Sequence, residues 1–137
     1  MKKLSKEEIE IIINQLNFSK IKRYLIPVIA QDYKTNEVLM LAFASKEAIE
    51  KSLETGYVHY FSRSKEKVWK KGEISGHFQE IKEIITDCDN DSILIKINQI
   101  GAACHKGYYS CFHKQLKNKE FKTIGEKIFN PSKVYKI

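Results

Sequence analysis

The runs Phe78-Gln79-Glu80-Ile81-Lys82-Glu83-Ile84-Ile85-Thr86 and Ile93-Leu94-Ile95-Lys96-Ile97-Asn98-Gln99-Ile100, joined through Asp87-Cys88-Asp89-Asn90-Asp91, decide the fold. Both runs are rich in strand formers and lie between Gly76 and Gly101, so they read as two strands with an acidic cluster at their junction. Toward the N-terminus, Tyr24 to Ala30 and Val38 to Phe43 are a second apolar pair. The polar insert Asp32-Tyr33-Lys34-Thr35-Asn36-Glu37 separates them, which predicts a β-hairpin. Ser45 is placed to cap a short helix carrying Ala48, Ile49 and Leu53 on one face, Gly56 supplies a left-handed residue to end it, and a strand over Tyr57 to Ser62 should follow. Ser5 and Glu8 have capping-box spacing ahead of Ile9, Ile12, Ile13 and Leu16, which predicts an amphipathic helix over residues 5–16.

No repeat, low-complexity block or Gly/Ser linker interrupts the 137 residues. The pattern predicts one α+β domain, mostly antiparallel β, with a barrel-like sheet and two short helices. Its core is expected over about residues 22–114. The lysine-rich residues 115–137 read as a surface helix or a partly disordered tail, with no chemistry assigned to them.

Hydrophobic residues make up 42% and charged residues 30%, and no apolar stretch approaches the roughly 18 residues of a membrane span, so a soluble chain without a membrane partner is expected. After Met1-Lys2-Lys3 comes the charged Lys6-Glu7-Glu8-Ile9-Glu10 instead of an apolar export core, which points to the cytoplasm. The net charge of +7 favours anionic partners. Lys and Arg are spread along the chain instead of forming a stripe, so phosphorylated small molecules suit it and a nucleic-acid partner is not expected.

Asp87, Asp89 and Asp91 place three carboxylates within five residues, which repel unless a cation or basic partner neutralises them. Hard oxygen donors suit magnesium, and the plainer reading is a solvated acidic turn. Asn90 in the fourth place and the strand-like Ile93-Leu94-Ile95 exclude an EF-hand. Three cysteines cannot all pair with one another. Cys104 and Cys111 follow Cys88 by sixteen and twenty-three residues, without the CxxC knuckles of structural zinc sites. They are either reduced core residues or a zinc set. As a zinc set, three protein ligands leave the fourth tetrahedral position for water, which implies hydrolysis. Three thiolates weaken the metal as a Lewis acid, so a nearby base is needed, and His105, directly after Cys104, is the candidate; the plainer alternative is a structural or surface histidine.

Ser62-Arg63-Ser64 and Trp69-Lys70-Lys71-Gly72-Glu73-Ile74-Ser75-Gly76-His77 mix hydroxyls, cations and glycines, which can hydrogen-bond and closely approach phosphate oxygens. Ser62, Arg63, Ser64, Trp69, Lys71, Gly72, Ser75, Gly76 and His77 are therefore candidate substrate contacts, against the alternative of a solvated basic hairpin with one packed tryptophan.

Read together and in order, these two segments, Phe78-Gln79, Asp87-Cys88-Asp89, Gly101-Ala102-Ala103-Cys104-His105 and Ser110-Cys111-Phe112 resemble the phosphoribosyl-AMP cyclohydrolase family. The resemblance covers about residues 25–114, including Val38-Leu39-Met40-Leu41-Ala42 and Leu53-Glu54-Thr55-Gly56. It implies zinc ligation by Cys88, Cys104 and Cys111, with Cys88 given across a homodimer interface, and magnesium ligation by Asp87, Asp89 and Asp91. It further implies hydrolytic opening of the adenine ring of N1-(5-phosphoribosyl)-AMP in histidine biosynthesis. The family also occurs fused to a pyrophosphohydrolase domain, and a chain ending soon after the shared core implies the stand-alone form. Asn90 stands for a usual glycine, Phe61 for tryptophan, Lys70 for arginine, Ile74 for threonine and Lys106 for threonine. Asparagine tolerates left-handed backbone angles, so the turn at Asn90 is expected to survive, whereas Lys70 keeps charge but loses bidentate geometry. Two other readings fit less well. A zinc nucleotide deaminase lacks support because its H-x-E and P-C-x-x-C signature is absent, and a zinc-stabilised RNA-binding module lacks an RRM-type or paired-knuckle motif.

Overall fold

The computed structural model describes residues 2–135. The capping box forms: Ser5 Oγ accepts from Glu8 N at 3.1 Å and Glu8 Oε1 accepts from Ser5 N at 2.9 Å, starting helix α1, Lys6–Asn14. Helix α2, Lys46–Thr55, starts with Ser45 Oγ accepting from Ala48 N at 3.2 Å and stops at Gly56, whose φ of 79° is the left-handed ending. Strands β1, Ile26–Asp32, and β2, Val38–Ala44, pair antiparallel as the expected hairpin. The Asp32 carboxylate accepts from Lys34 N and Thr35 N to fix its turn. A second hairpin joins β3, His59–Ser62, to β4, Lys67–Lys70. The fold-deciding pair is β5, Gln79–Thr86, and β6, Ile93–Gln99, antiparallel to each other, with β6 parallel to β1.

The α+β class and the dominance of antiparallel pairing are as expected, but the barrel-like description is too loose. The sheet is open, in the order β2-β1-β6-β5, with two separate two-stranded ribbons beside it. The tail also departs from the expectation of a helix or disorder. It makes a hairpin of β7, Lys114–Lys117, and β8, Glu120–Thr123, and then a third short helix, α3, Pro131–Val134.

Period-two alternation puts Ile93, Ile95 and Ile97 of β6 and Val28 and Ala30 of β1 on the inner face. Ile9 and Ile13 of α1 and Ala48, Ile49 and Leu53 of α2 complete that core. A polar chain crosses its edge: Tyr60 Oη donates to Gln79 Oε1 at 2.6 Å and Gln79 Nε2 donates to Gln99 Oε1 at 2.9 Å, locking β3 to the Gln99 end of β6. On the outer face, the register Leu41↔Ile29↔Leu94↔Ile85 forms one apolar row across all four strands. Leu41, Ile29 and Ile85 in that row are 49%, 36% and 42% exposed, so the row is uncovered in the single chain.

Candidate active site

Two chemical groups flank β6, the acidic loop before it and the cysteine-containing loop after it. A seven-residue strand rises about 20 Å between its ends. Cys88 therefore lies far from Cys104 and Cys111 within one chain, and among the described residues the three sulfurs do not form one ligand cluster.

Cys104 and Cys111 do meet. Ala103 N donates to Tyr109 O at 3.0 Å and Cys104 N to Tyr108 O at 3.2 Å, so the intervening residues fold back as a tight loop. Cys111 N donates to Leu39 O at 2.7 Å and Ser110 Oγ to Val38 O at 2.7 Å, pinning the second cysteine to β2. Cys111 is an exposed residue, but partial burial of its thiol pushes the pKa up to about 11, reinforced by the charge of Cys104 and opposed by Lys71. Two soft donors this close repel once both are ionised, and a zinc ion relieves that repulsion, so the donor set fits zinc while remaining incomplete within one chain.

Lys71, on the basic segment, is only 8% exposed and donates to Ala103 O at 2.6 Å. Burial lowers its pKa, against the opposing pull of Cys111 and then Cys104. The ammonium thus faces the cysteine loop, while the same residue lines a cavity of about 280 Å³ together with Ser62, Trp69, Gly72, Ser75 and Tyr135. Gly72 has φ 91°, and a Cβ there would come within 2.6 Å of His77 C and Phe78 N, so only glycine permits the tight Gly72–Gly76 turn that shapes the cavity wall. Arg63 and Ser64 do not line the cavity. The Arg63 guanidinium stacks 4.2 Å from the Phe43 ring, and the exposed Ser64 hydroxyl is 3.4 Å from Ser62 Oγ. Gly76 closes the turn by donating to Gly72 O at 2.7 Å. His77 packs edge-on against Phe129 at 4.7 Å, with its Nδ1 buried and without a hydrogen-bond partner.

His105 is exposed and shares a shallow concavity with Cys104 and Cys111. It approaches the Tyr135 ring edge-on at 6.4 Å. Phe129 and Tyr135 are contributions that the sequence reading missed, because it assigned the tail no chemistry. Their only advance signal was two aromatics in a basic, otherwise featureless segment.

At the other end of β6, Asp87, Asp89 and Asp91 bring one carboxylate oxygen each to within 4.8 Å of one another. Asp87 Oδ2 accepts from Ser92 Oγ at 2.6 Å and Oδ1 from Asp91 N at 3.0 Å, so this carboxylate is a fixed wall with its pKa lowered chiefly by Ser92. Asp89 is lowered chiefly by Lys20. For Asp91 the Lys20 contact is the largest single influence and lowers it, but the hydrogen bonds shared with Asp89 and Asp87, with burial, outweigh it and the net shift is upward. Asn90 adopts φ 60° and its side-chain oxygen accepts from Thr86 Oγ1 at 3.0 Å, so the left-handed turn survives without glycine. Three convergent hard oxygens fit magnesium.

A family model described as phosphoribosyl-AMP cyclohydrolase matches residues 40–113. The chain is similar to the histidine biosynthesis bifunctional protein HisIE of Thermoanaerobacter pseudethanolicus, at 57% identity over 126 residues, 92% of this chain. It spans only 57% of that relative's length. The phosphoribosyl-AMP cyclohydrolases of Methanococcoides burtonii and Methanoregula boonei are each 56% identical over 111 residues, covering 81% of this chain and 89% and 88% of their own lengths.

Proposed function

The chain belongs to the phosphoribosyl-AMP cyclohydrolase family, and on that premise we propose how its residues perform the hydrolysis. The reaction is the opening of the C6–N1 bond in the adenine ring of N1-(5-phosphoribosyl)-AMP, a step of histidine biosynthesis. N1 substitution makes C6 electrophilic; the oxygen of water ends on C6, and N1 departs with a proton. Cys104 and Cys111, with Cys88 of a second chain, would hold zinc, which would supply the Lewis acidity that activates water at neutral pH. The observation that carries the reading is the convergence of Cys104 and Cys111 beside buried Lys71, which also lines the cavity of the basic segment.

Ser62, Ser75 and the lysines of that cavity bind the substrate phosphates, while Trp69 offers a ring face to the base. His105 accepts or relays the proton of the attacking water from the edge of the concavity it shares with both thiols. Asp87, Asp89 and Asp91 would hold magnesium, which would supply counter-charge for phosphate. Among the described residues no helix is long and apolar enough to cross a membrane, and cytoplasmic residence accords with a biosynthetic hydrolase.

The working unit is a homodimer. Its support is the uncovered row Leu41, Ile29, Leu94 and Ile85 together with the separation of Cys88 from its fellow cysteines. An isologous pairing about a two-fold axis reverses one strand against the other, bringing the Cys88 end of one chain toward the Cys104 and Cys111 end of its partner. Mixing the inactive variants Cys88→Ser and Cys104→Ser tests this. Exchange of subunits yields mixed dimers with one complete zinc site, and about a quarter of wild-type turnover should return. No recovery after verified exchange would rule out the shared site.

A further inference from the structure

The acidic loop already holds a cation of the chain's own. The Lys20 ammonium lies 2.8 Å from Asp91 Oδ2 and in direct contact with Asp89. Its residue stands outside the stretch matched by the family model, 69 positions before Asp89. A long surface lysine is ordinarily free to wander, but this one is delivered by a built turn. Asn17 N donates to Asn90 O at 2.8 Å, docking the segment after α1 onto the backbone of the acidic loop itself. Asn17 Oδ1 accepts from Ser19 N at 3.0 Å, turning the chain so that Lys20 follows over the carboxylates.

We propose that Lys20 is an internal counter-ion of the acidic loop, which a divalent cation must displace, so that Lys20 sets the loop's affinity for that cation. This rests on the reading of the loop as a magnesium site. Asp87 is held in place by Ser92 and the Asp91 backbone, and the other two carboxylates of the trio, Asp89 and Asp91, are the two that Lys20 occupies, so an ion that uses all three must take oxygens from Lys20. An ammonium and a divalent ion on the same carboxylate pair repel each other at contact distance. Loading therefore releases the Lys20 ammonium from the carboxylates.

The test uses the full-length, zinc-loaded protein, so that the thiols are occupied, with Mn²⁺ as the probe, titrated by electron paramagnetic resonance. Lys20→Met keeps the apolar stem and drops the charge; it should bind Mn²⁺ roughly fivefold more tightly, the scale of one exposed ion pair. Lys20→Arg should stay near wild type. Damage to the loop would weaken binding, so a gain in affinity separates displacement from a structural role. Independently, acetylation of Lys20 in the wild type, followed by mass spectrometry, should speed up severalfold when Mn²⁺ saturates the loop. Equal or weaker Mn²⁺ binding by Lys20→Met, or labelling unchanged by bound ion, overturns the inference while leaving the metal site standing. No loop-dependent Mn²⁺ binding in either protein, judged against Asp89→Asn, overturns the magnesium reading and this inference with it.

Discussion

The thiol pair and the acidic loop stand at opposite ends of β6 and handle charge in opposite ways. The exposed residue Cys111 has a partly desolvated thiol that holds its proton, with the buried Lys71 beside it, so a metal that takes the thiol must displace that proton. The acidic loop is exposed and ionised from the start, its repulsion offset by Lys20 and by hydrogen bonds from Ser92 and the Asp91 backbone. An incoming cation thus meets a different cost at each end, displacing a proton from the thiol and an ammonium from the carboxylates.

The difference can be broken at the thiol end first. Cys111→Ser should abolish stoichiometric zinc retention and reduce turnover by more than about a hundredfold, beyond the 10–100-fold typical of residues behind the ligands. Zinc analysis after dialysis together with a rate assay checks it. Lys71→Met should fall within about that 10–100-fold range, in zinc affinity or turnover, without removing the site. Because the folded-state pKa of Cys111 is raised, to about 11, its neutral form is favoured below that value, and each zinc bound must expel that proton. Zinc affinity should consequently fall by about tenfold per unit of decreasing pH from this thiol alone, measured by competition with a chelator between pH 6 and 8. The smallest of these effects concerns packing at the same end of β6. Tyr60→Phe removes the 2.6 Å hydrogen bond to Gln79 and leaves a fully buried carbonyl oxygen without its donor. It should cost about 1–3 kcal/mol in denaturant unfolding while leaving Mn²⁺ binding at the acidic loop unchanged.

Much of this was legible in the sequence because it depends on local patterns. The Ser5–Glu8 box, the Ser45 cap, Gly56 and the two strand pairs all follow from neighbours within a few residues. The acidic cluster was legible for the same reason, since three aspartates in five residues must meet. The parallel pairing of β1 with β6 was not, because it joins runs more than sixty residues apart with no local signature. The meeting of Cys104 with Cys111 hangs on backbone bonds to Leu39 and Tyr109 that spacing does not reveal. Lys20 was lost among twenty-four basic residues, and Phe129 and Tyr135 in a tail whose lysines obscured its hairpin. The stacking of Arg63 on Phe43 was not legible either, since a basic residue beside hydroxyls looks alike whether it faces a cavity or an aromatic ring.

Hydrolysis at the cysteine loop can be tested by stripping the purified protein with a chelator, returning zinc in the presence of magnesium, and following N1-(5-phosphoribosyl)-AMP by ultraviolet absorbance. Ring opening should vanish on stripping, return with zinc in the wild type, and stay absent in a folded Cys104→Ser variant. A folded, zinc-loaded wild type that leaves the substrate intact, or a Cys104→Ser variant that turns over at the wild-type rate, would contradict it.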